Sequence, residues 1–339
     1  MTHHVPATHR EIRLVARPEG ELREEHLKVV EAPVPLPGPG QALVRTRVMS
    51  VTAVMRTLMR DDADLPMPPY AVGEPLWGPA LGEVVTAPEG SGLEPGATVL
   101  SYRAGWREYA AVDADGLERA DLDALPDPAA HLSQGFTAWL GVVRGAEVRE
   151  GDTVFVSGAA GGVGSLAGQF ARLRGAARVI GSTSSRRKAA YLTGELGYDA
   201  VVLRTEDDLE GQLREAAPDG LDAVFDNVGG EQLRASLALA RPGARIALVG
   251  GLSGQIGGGA GSPTEIDTLG LVARSVTLRG LAGVHYLDEL PRWHEEFARG
   301  LREGKLTVPH TLLKGIAEAP RALCELLAGR HIGAVLVEL

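Results

Sequence analysis

The chain has 339 residues, 44% of them apolar, and a formal net charge of −10. Scattered rather than clustered Lys and Arg argue against a nucleic-acid partner, and no apolar run approaches the roughly 20 residues of a membrane span. The single cysteine, Cys324, excludes an internal disulfide framework and a cysteine-rich zinc site, and suits a reducing, cytoplasmic setting.

Met1–Arg10 holds three histidines but no apolar core, so no signal peptide is expected. From Glu11 to Tyr109, short alternating segments are broken by Pro and Gly. Ala42–Val48, Gly82–Thr86 and Thr98–Tyr102 are read as strands, with Pro33, Pro35, Pro37 and Pro39 between elements. That spacing predicts a mostly β, barrel-like domain. The acidic run Asp61–Asp64 is read as a solvated loop.

The rhythm changes at Asp152. Strands are expected at Thr153–Ser157, Arg178–Gly181, Ala200–Leu203, Ala223–Asp226 and Arg245–Val249. Helices are expected between them at Ser165–Arg174, Ser185–Leu196, Leu209–Ala216 and Glu231–Leu239. Strand–helix alternation implies right-handed crossovers and a parallel, doubly wound α/β sheet. Glu206–Glu210 reads as solvated charge, and Gly257–Gly261 as a loop near the site. Leu287–Leu301 is expected to be an amphipathic helix that packs Trp293 and His294.

Two segments carry chemistry. In the first, the strand at Thr153–Ser157 runs into Gly158-Ala-Ala-Gly-Gly-Val-Gly164 and then a helix, the order a dinucleotide site needs. Gly161 lets backbone approach a pyrophosphate and Gly164 lets the helix pack on the strand, while Ala159 stands where a first glycine is usual. An ordinary strand–loop–helix turn is the alternative. In the second segment, Gly181-Ser-Thr-Ser-Ser-Arg-Arg-Lys188 has hydroxyls and three cations but no carboxylate. A ribose 2′-hydroxyl would call for an acidic residue; a 2′-phosphate suits Ser182, Ser185, Arg186 and Lys188. The alternative is a basic surface turn, disfavoured because cations at a helix N-terminus oppose its dipole.

With Arg17-Pro-Glu-Gly20, Arg45–Val51, Met55-Arg56, Gly105–Tyr109, Gly135-Phe-Thr-Ala138, Ala159–Ser165, Asp226-Asn-Val-Gly-Gly230 and Gly329–Gly333, the chain resembles a known family. It is the prostaglandin/alkenal double-bond reductase branch of the zinc-free medium-chain dehydrogenase/reductase superfamily. The resemblance implies a GroES-like β-barrel catalytic domain at 1–131 and 305–339, and a Rossmann NADP-binding domain at 132–304. It puts the pyrophosphate turn on Gly161, Gly162, Val163 and Gly164 and a cofactor contact on Thr137. The 2′-phosphate lysine falls on Lys188, with Arg204 in place of a usual tyrosine. It further assigns Asn227, the loop carrying Val249, Gly250, Gly251, Leu252 and Ser253, and the backbone of Leu281, Ala282 and Gly283. His331 stands where the family has an asparagine.

The implied reaction is NADPH-dependent reduction of the C=C bond of an α,β-unsaturated ketone or aldehyde by hydride transfer to the β-carbon, without a metal. Val54 replaces a tyrosine of many relatives and Val284 an aromatic residue, so two pocket donors are missing. Tyr286 is the candidate catalytic side chain, and Tyr70 and Trp77 either line the substrate entrance or serve packing. An NADPH-dependent quinone reductase, or an NADPH-binding protein without turnover, are the alternatives. Ser275–Leu281 could pair with its copy, so a homodimer is expected; neither nucleic acid nor membrane is.

Overall fold

Gln41–Val51 is the longest strand of the amino-terminal unit, and its inward residues Val44, Met49 and Val51 are buried. It pairs antiparallel with Ala80–Thr86 and with Ala334–Glu338, and its first half also pairs with Tyr109–Asp113. The sheet runs in the order 310–314, 334–338, 41–51, 80–86, 98–101, 117–119, and only its first two strands are parallel. Among the described residues its two outermost strands do not pair with each other, so hydrogen bonds do not close the barrel. A separate hairpin, Thr8–Leu14 with Leu27–Pro33, adds Ile12, Leu14 and Leu27 to the same core. The last paired residue of the hairpin is Pro33; the Val34 N–H still donates to the Ala7 carbonyl at 3.1 Å, and Pro35 beyond it has no N–H to extend a ladder. This computed structural model describes residues 5–62, 65–256 and 261–339. Most of the expected Gly257–Gly261 loop, half of the Asp61–Asp64 run, and His3 and His4 therefore lie outside the described residues. Asp62 is exposed and pairs with Arg60 at 2.7 Å.

The chain divides into two compact units, Met1–Ser133 with His310–Leu339, and Gln134–Pro309. The second unit holds six strands: β1 (Thr153–Val156), β2 (Arg178–Thr183), β3 (Ala200–Leu203), β4 (Leu221–Asp226), β5 (Ala240–Leu248) and β6 (Thr277–Gly280). All pairs are parallel, in the order β3-β2-β1-β4-β5-β6. The helices between successive strands are α1 (Gly164–Leu173), α2 (Arg186–Glu195), α3 (Leu209–Ala216) and α4 (Gly230–Ala238), with Leu252–Ile256 and Thr268–Arg274 between β5 and β6. Val154, Phe155 and Val156 are buried without alternation, as expected for a parallel strand covered on both faces. Strand order reverses between β1 and β4, and ligands of such sheets bind outside the carboxyl ends at that point.

Boundaries shift where local geometry intervenes. β5 starts at Ala240, well before Arg245, because Ala240 pairs with Leu221 and the chain then bulges through Pro242 and Gly243, which has φ of +78°. The expected helix at Leu287 opens as a 3₁₀ turn, Leu287–Glu289, and becomes α-helical over Leu290–Arg302 with Pro291 in its first turn. On that helix Trp293 is buried and stacks on Phe297 at 5.3 Å between centroids. No helix among the described residues is long and apolar enough to cross a membrane.

Candidate nucleotide site

The turn after β1 is organised by Gly158. Its φ of +61° lies in the left-handed region, which glycine enters without steric cost. Its N–H donates to Ser182 Oγ at 3.0 Å, and its carbonyl accepts from Gly161 at 3.1 Å. The glycine missing at position 159 is therefore supplied one residue earlier. Ala159 is buried and donates its N–H to the Ser182 carbonyl at 2.9 Å. α1 begins where it must contain no side chain, since a Cβ on Gly164 would lie 2.5 Å from the Gly158 oxygen and 2.7 Å from Ala159 Cα. Gly161 is exposed, with Gly162 and Val163 half-buried, so the backbone between β1 and α1 is open to an anion at the positive end of the helix.

Beyond β2, Ser185 caps α2 by accepting from the Lys188 N–H at 3.4 Å. Lys188 is only 6% exposed. Its ammonium is pushed down to about 8, first by desolvation and then by the neighbouring Arg187 and Arg204. Arg204 follows β3, is exposed, and is held beside β2 by its N–H bond to the Thr183 carbonyl at 3.0 Å. Burial and like charge both disfavour the protonated lysine here, an arrangement that an anionic ligand relieves.

Two expected contacts do not fit this picture. Ser182 is 0% exposed, and its hydroxyl is taken up by Gly158 and Gln232, so it supports the turn from below instead of touching a ligand. Arg186, whose side chain is 87% exposed, pairs with Glu206 at 3.0 Å. The carboxylate absent from 181–188 thus arrives from the β3 loop, which no spacing within the basic segment could reveal.

The ends of β4 and β5 are fastened together. Ser157 Oγ donates to Asp226 Oδ1 at 2.7 Å and accepts the Asn227 N–H at 2.8 Å. Asp226 is buried, which pushes its carboxyl up, and it accepts from the Gly229 N–H at 2.8 Å. Val249 donates to the Asp226 carbonyl, Leu252 to the Asn227 carbonyl, and Ser253 Oγ to the Val228 carbonyl. Gly250 must lack a side chain, because a Cβ there would sit 2.3 Å from Asn227 Oδ1. After β6, the Leu281 N–H bonds the Leu248 carbonyl at 3.0 Å and leads into Ala282 and Gly283. Thr137 is half-buried on the helix Gly135–Leu140, which continues as a π-helical turn through Gly145. The Gly161–Gly164 turn, Lys188, Arg204, Asn227, Val249–Ser253 and Leu281–Gly283 each follow the carboxyl end of a strand of one sheet.

The remaining candidates are placed individually. Tyr70 is 2% exposed and donates to the Trp77 carbonyl at 2.7 Å; burial pushes its phenol up, and it packs in the core of the amino-terminal unit. Of the two readings of Tyr70, packing is the one that this burial supports. Trp77 is half-buried, with the Arg103 guanidinium 4.1 Å from its ring centroid. Val54 is half-buried at the start of the helix Val54–Leu58. His331 Nε2 lies 3.2 Å from Glu325 Oε2, so this ring faces a carboxylate of its own unit. Val284 is exposed and Tyr286 half-buried. Cys324 has its thiol pushed up to about 11, first by burial and then by Glu24 and Glu21.

Residues 10–120 match the family model for the N-terminal domain of oxidoreductase, and residues 162–299 the model described as zinc-binding dehydrogenase. The second description implies a metal that the donors do not fit: among the described residues no three His, Cys, Asp or Glu side chains are grouped to hold one. The chain is 30% identical to the NADPH-dependent curcumin reductase of Escherichia coli (strain K12), over 96% of this chain and 95% of that protein. It is 29% identical to the 2-alkenal reductase (NADP(+)-dependent) of Nicotiana tabacum, over 88% of each. The solved structure of CurA from Vibrio vulnificus in complex with NADPH is similar with a TM-score of 0.88 and 29% identity, covering 97% of this chain and 98% of that one.

The contact under α1 is testable by one methyl group. Gly164→Ala should lower the free energy of unfolding by about 1–3 kcal/mol in urea titrations, as overpacking against backbone does. Gly161→Ala, whose Cβ would meet only the Gly158 oxygen at 3.5 Å, should stay within about 0.5 kcal/mol of the parent. Equal stability for both variants would contradict the packing described.

Proposed function

We propose that this chain, which belongs to the zinc-free branch of the medium-chain dehydrogenase/reductase family and is an NADP-dependent oxidoreductase, reduces the activated C=C bond of α,β-unsaturated ketones or aldehydes. The observation that carries the cofactor side is the cationic cluster beyond β2 and β3, in which the buried Lys188 stands beside Arg187 and Arg204. A 2′-phosphate matches that cluster in charge. Bound NADPH furnishes the hydride. The backbone at Gly161–Gly164 faces the pyrophosphate, and Ser185, Lys188 and Arg204 hold the 2′-phosphate. Asn227 and the Val249–Ser253 segment bound to it, with Thr137 and the backbone at Leu281–Gly283, position the nicotinamide end.

The acceptor class is supported by the relatives' names, since curcumin and 2-alkenals both carry a C=C bond conjugated to a carbonyl. Reduction at the β-carbon leaves an enolate whose α-carbon needs a proton. Val54 and Val284 have no proton to give. Tyr286 is assigned that role because it lies three residues beyond Gly283, in the segment placed at the nicotinamide end; its hydroxyl, like those of Tyr102, Tyr109 and Tyr191 and unlike those of Tyr70 and Tyr198, donates to no carbonyl among the described residues.

A panel of linear enones, enals and quinones, followed by NADPH absorbance, checks the acceptor class. Enones and enals should be turned over. Turnover of quinones alone would assign the chain to quinone reduction, and none across the panel would leave an NADPH-binding protein.

The phosphate assignment predicts a split between cofactors. Lys188→Ala and Arg204→Ala should each weaken NADPH binding by about 10–100-fold, the worth of a charge-assisted hydrogen bond. NADH should change by no more than about 3-fold, because it lacks the group those side chains meet. Equal losses would refute the assignment.

The depressed ammonium also fixes a pH dependence. In the free protein Lys188 loses its proton near 8, and a bound phosphate raises that value. NADPH affinity should therefore be full below about pH 8 and fall as pH rises above it, by up to tenfold per unit until the bound-state value is reached. NADH affinity, measured in the same fluorescence titrations, should stay flat across that range.

A further inference from the structure

Gln232 plays no part in the reaction proposed above, yet its side chain is 5% exposed and its Oε1 accepts the Ser182 hydroxyl. Ser182 Oγ in turn accepts the Gly158 N–H at 3.0 Å. The three residues belong to three different strand ends. Gly158 follows β1, Ser182 lies near the end of β2, and Gln232 stands in the first turn of α4, beyond β4. β2 and β4 are the two neighbours of β1. The Gln232–Ser182 bond therefore passes across the end of β1, at the point where strand order reverses.

We propose that Gln232 and Ser182 are positioning residues that strap the pyrophosphate turn and so set dinucleotide affinity. Gly158 occupies a left-handed conformation in which its N–H must find a partner away from water, and Ser182 Oγ is that partner. A serine hydroxyl rotates freely unless its proton is also engaged. Gln232 Oε1 engages it, which aims the oxygen lone pair at Gly158. The Gly158 carbonyl holds Gly161, so the strap reaches the exposed backbone two bonds further on. The two buried side chains thereby act on a ligand they do not touch. The inference rests on the dinucleotide reading of this turn, and because the pyrophosphate is common to both cofactors it predicts no preference between NADPH and NADH.

The test is direct binding to the full chain, by quenching of tryptophan fluorescence, for the parent, Ser182→Ala, Gln232→Leu and the double variant. Each single variant should weaken NADPH and NADH alike by about 3–10-fold, and the double variant should be no weaker than the worse single, because both break one chain of bonds. With an activated alkene as acceptor, KM for the cofactor should rise while kcat holds, a split that a simple loss of folded protein does not give. Binding within about 2-fold of the parent in both single variants, or multiplied losses in the double, overturns the strap. So does a loss specific to NADPH, which belongs to the Lys188 subsite. Should Ser182→Ala fold poorly, Gln232→Leu decides alone, since it leaves the serine in place. A parent chain that binds neither cofactor overturns the dinucleotide reading itself and the strap with it, whereas a parent that binds NADPH beside unaffected variants sinks only the strap.

Discussion

Everything at the nucleotide site depends on how closely α1 approaches the turn that precedes it. With the Gly158 oxygen 2.5 Å and Ala159 Cα 2.7 Å from where a Gly164 side chain would begin, helix and turn are in backbone contact. That contact leaves no room for the turn to relax. Beside it, Gly158 lies in the left-handed region and donates its N–H inward to Ser182. The contact also presents Gly161 outward, where a ligand's phosphates can meet backbone at the positive end of the helix. Tyr198 reinforces the arrangement from the far side by donating its buried hydroxyl to the Gly164 carbonyl at 2.7 Å.

Around this contact the other strand ends are arranged by hydrogen bonds between loops. Ser157, Asp226 and Asn227 join β1 to β4, and Val249 and Leu252 join the β5 loop to that turn. Most of these bonds involve at least one backbone group, so they tie the loops at the strand ends to one another. The charged part of the site is different. Lys188 and Arg204 disfavour one another's charge in a partly desolvated place, and an anion seated there would offset that cost.

Much of this was legible in the order of residues. Strand–helix alternation after Asp152 carried the parallel sheet, because apolar β-branched runs such as Thr153–Val156 and turn residues such as the glycines 158–164 act locally. The first four strands of that sheet and α1–α4 match their expected spans to within a few residues for that reason; β5 starts early through pairing across the bulge at Pro242–Gly243, and the helices Gly135–Leu140, Leu252–Ile256 and Thr268–Arg274 had no such local signal. What depends on distant partners was not legible. Nothing adjacent to Ser182 reveals that Gly158 and Gln232 consume its hydroxyl, nor does the basic segment disclose that Glu206 draws off Arg186. Tyr70 stays open between rim and packing for the same reason, since its neighbours in the chain do not disclose that the Trp77 carbonyl lies against its hydroxyl. Gln232 has a single local signal, a long polar side chain on the α4 face that it shares with the small buried residues Ala235 and Ser236.

The path of the chain through its two units has a consequence for how the protein is made. Val51 lies opposite Val335 in the sheet of the first unit, so that sheet needs both ends of the chain, while residues 134–309 form the second unit without a break. During synthesis, which proceeds from the N-terminus, the nucleotide unit is released whole and its parallel sheet can form from contiguous residues. Tyr109–Asp113 can cover the first half of one edge of strand Gln41–Val51, but Val48–Val51 must meanwhile wait with that edge bare until Ala334–Glu338 emerges. The long closure adds little to the equilibrium cost, since loop entropy grows only logarithmically with length. It lengthens the interval in which an apolar strand edge is exposed to other chains. The first unit is therefore the later to mature and the one that a chaperone has most reason to hold.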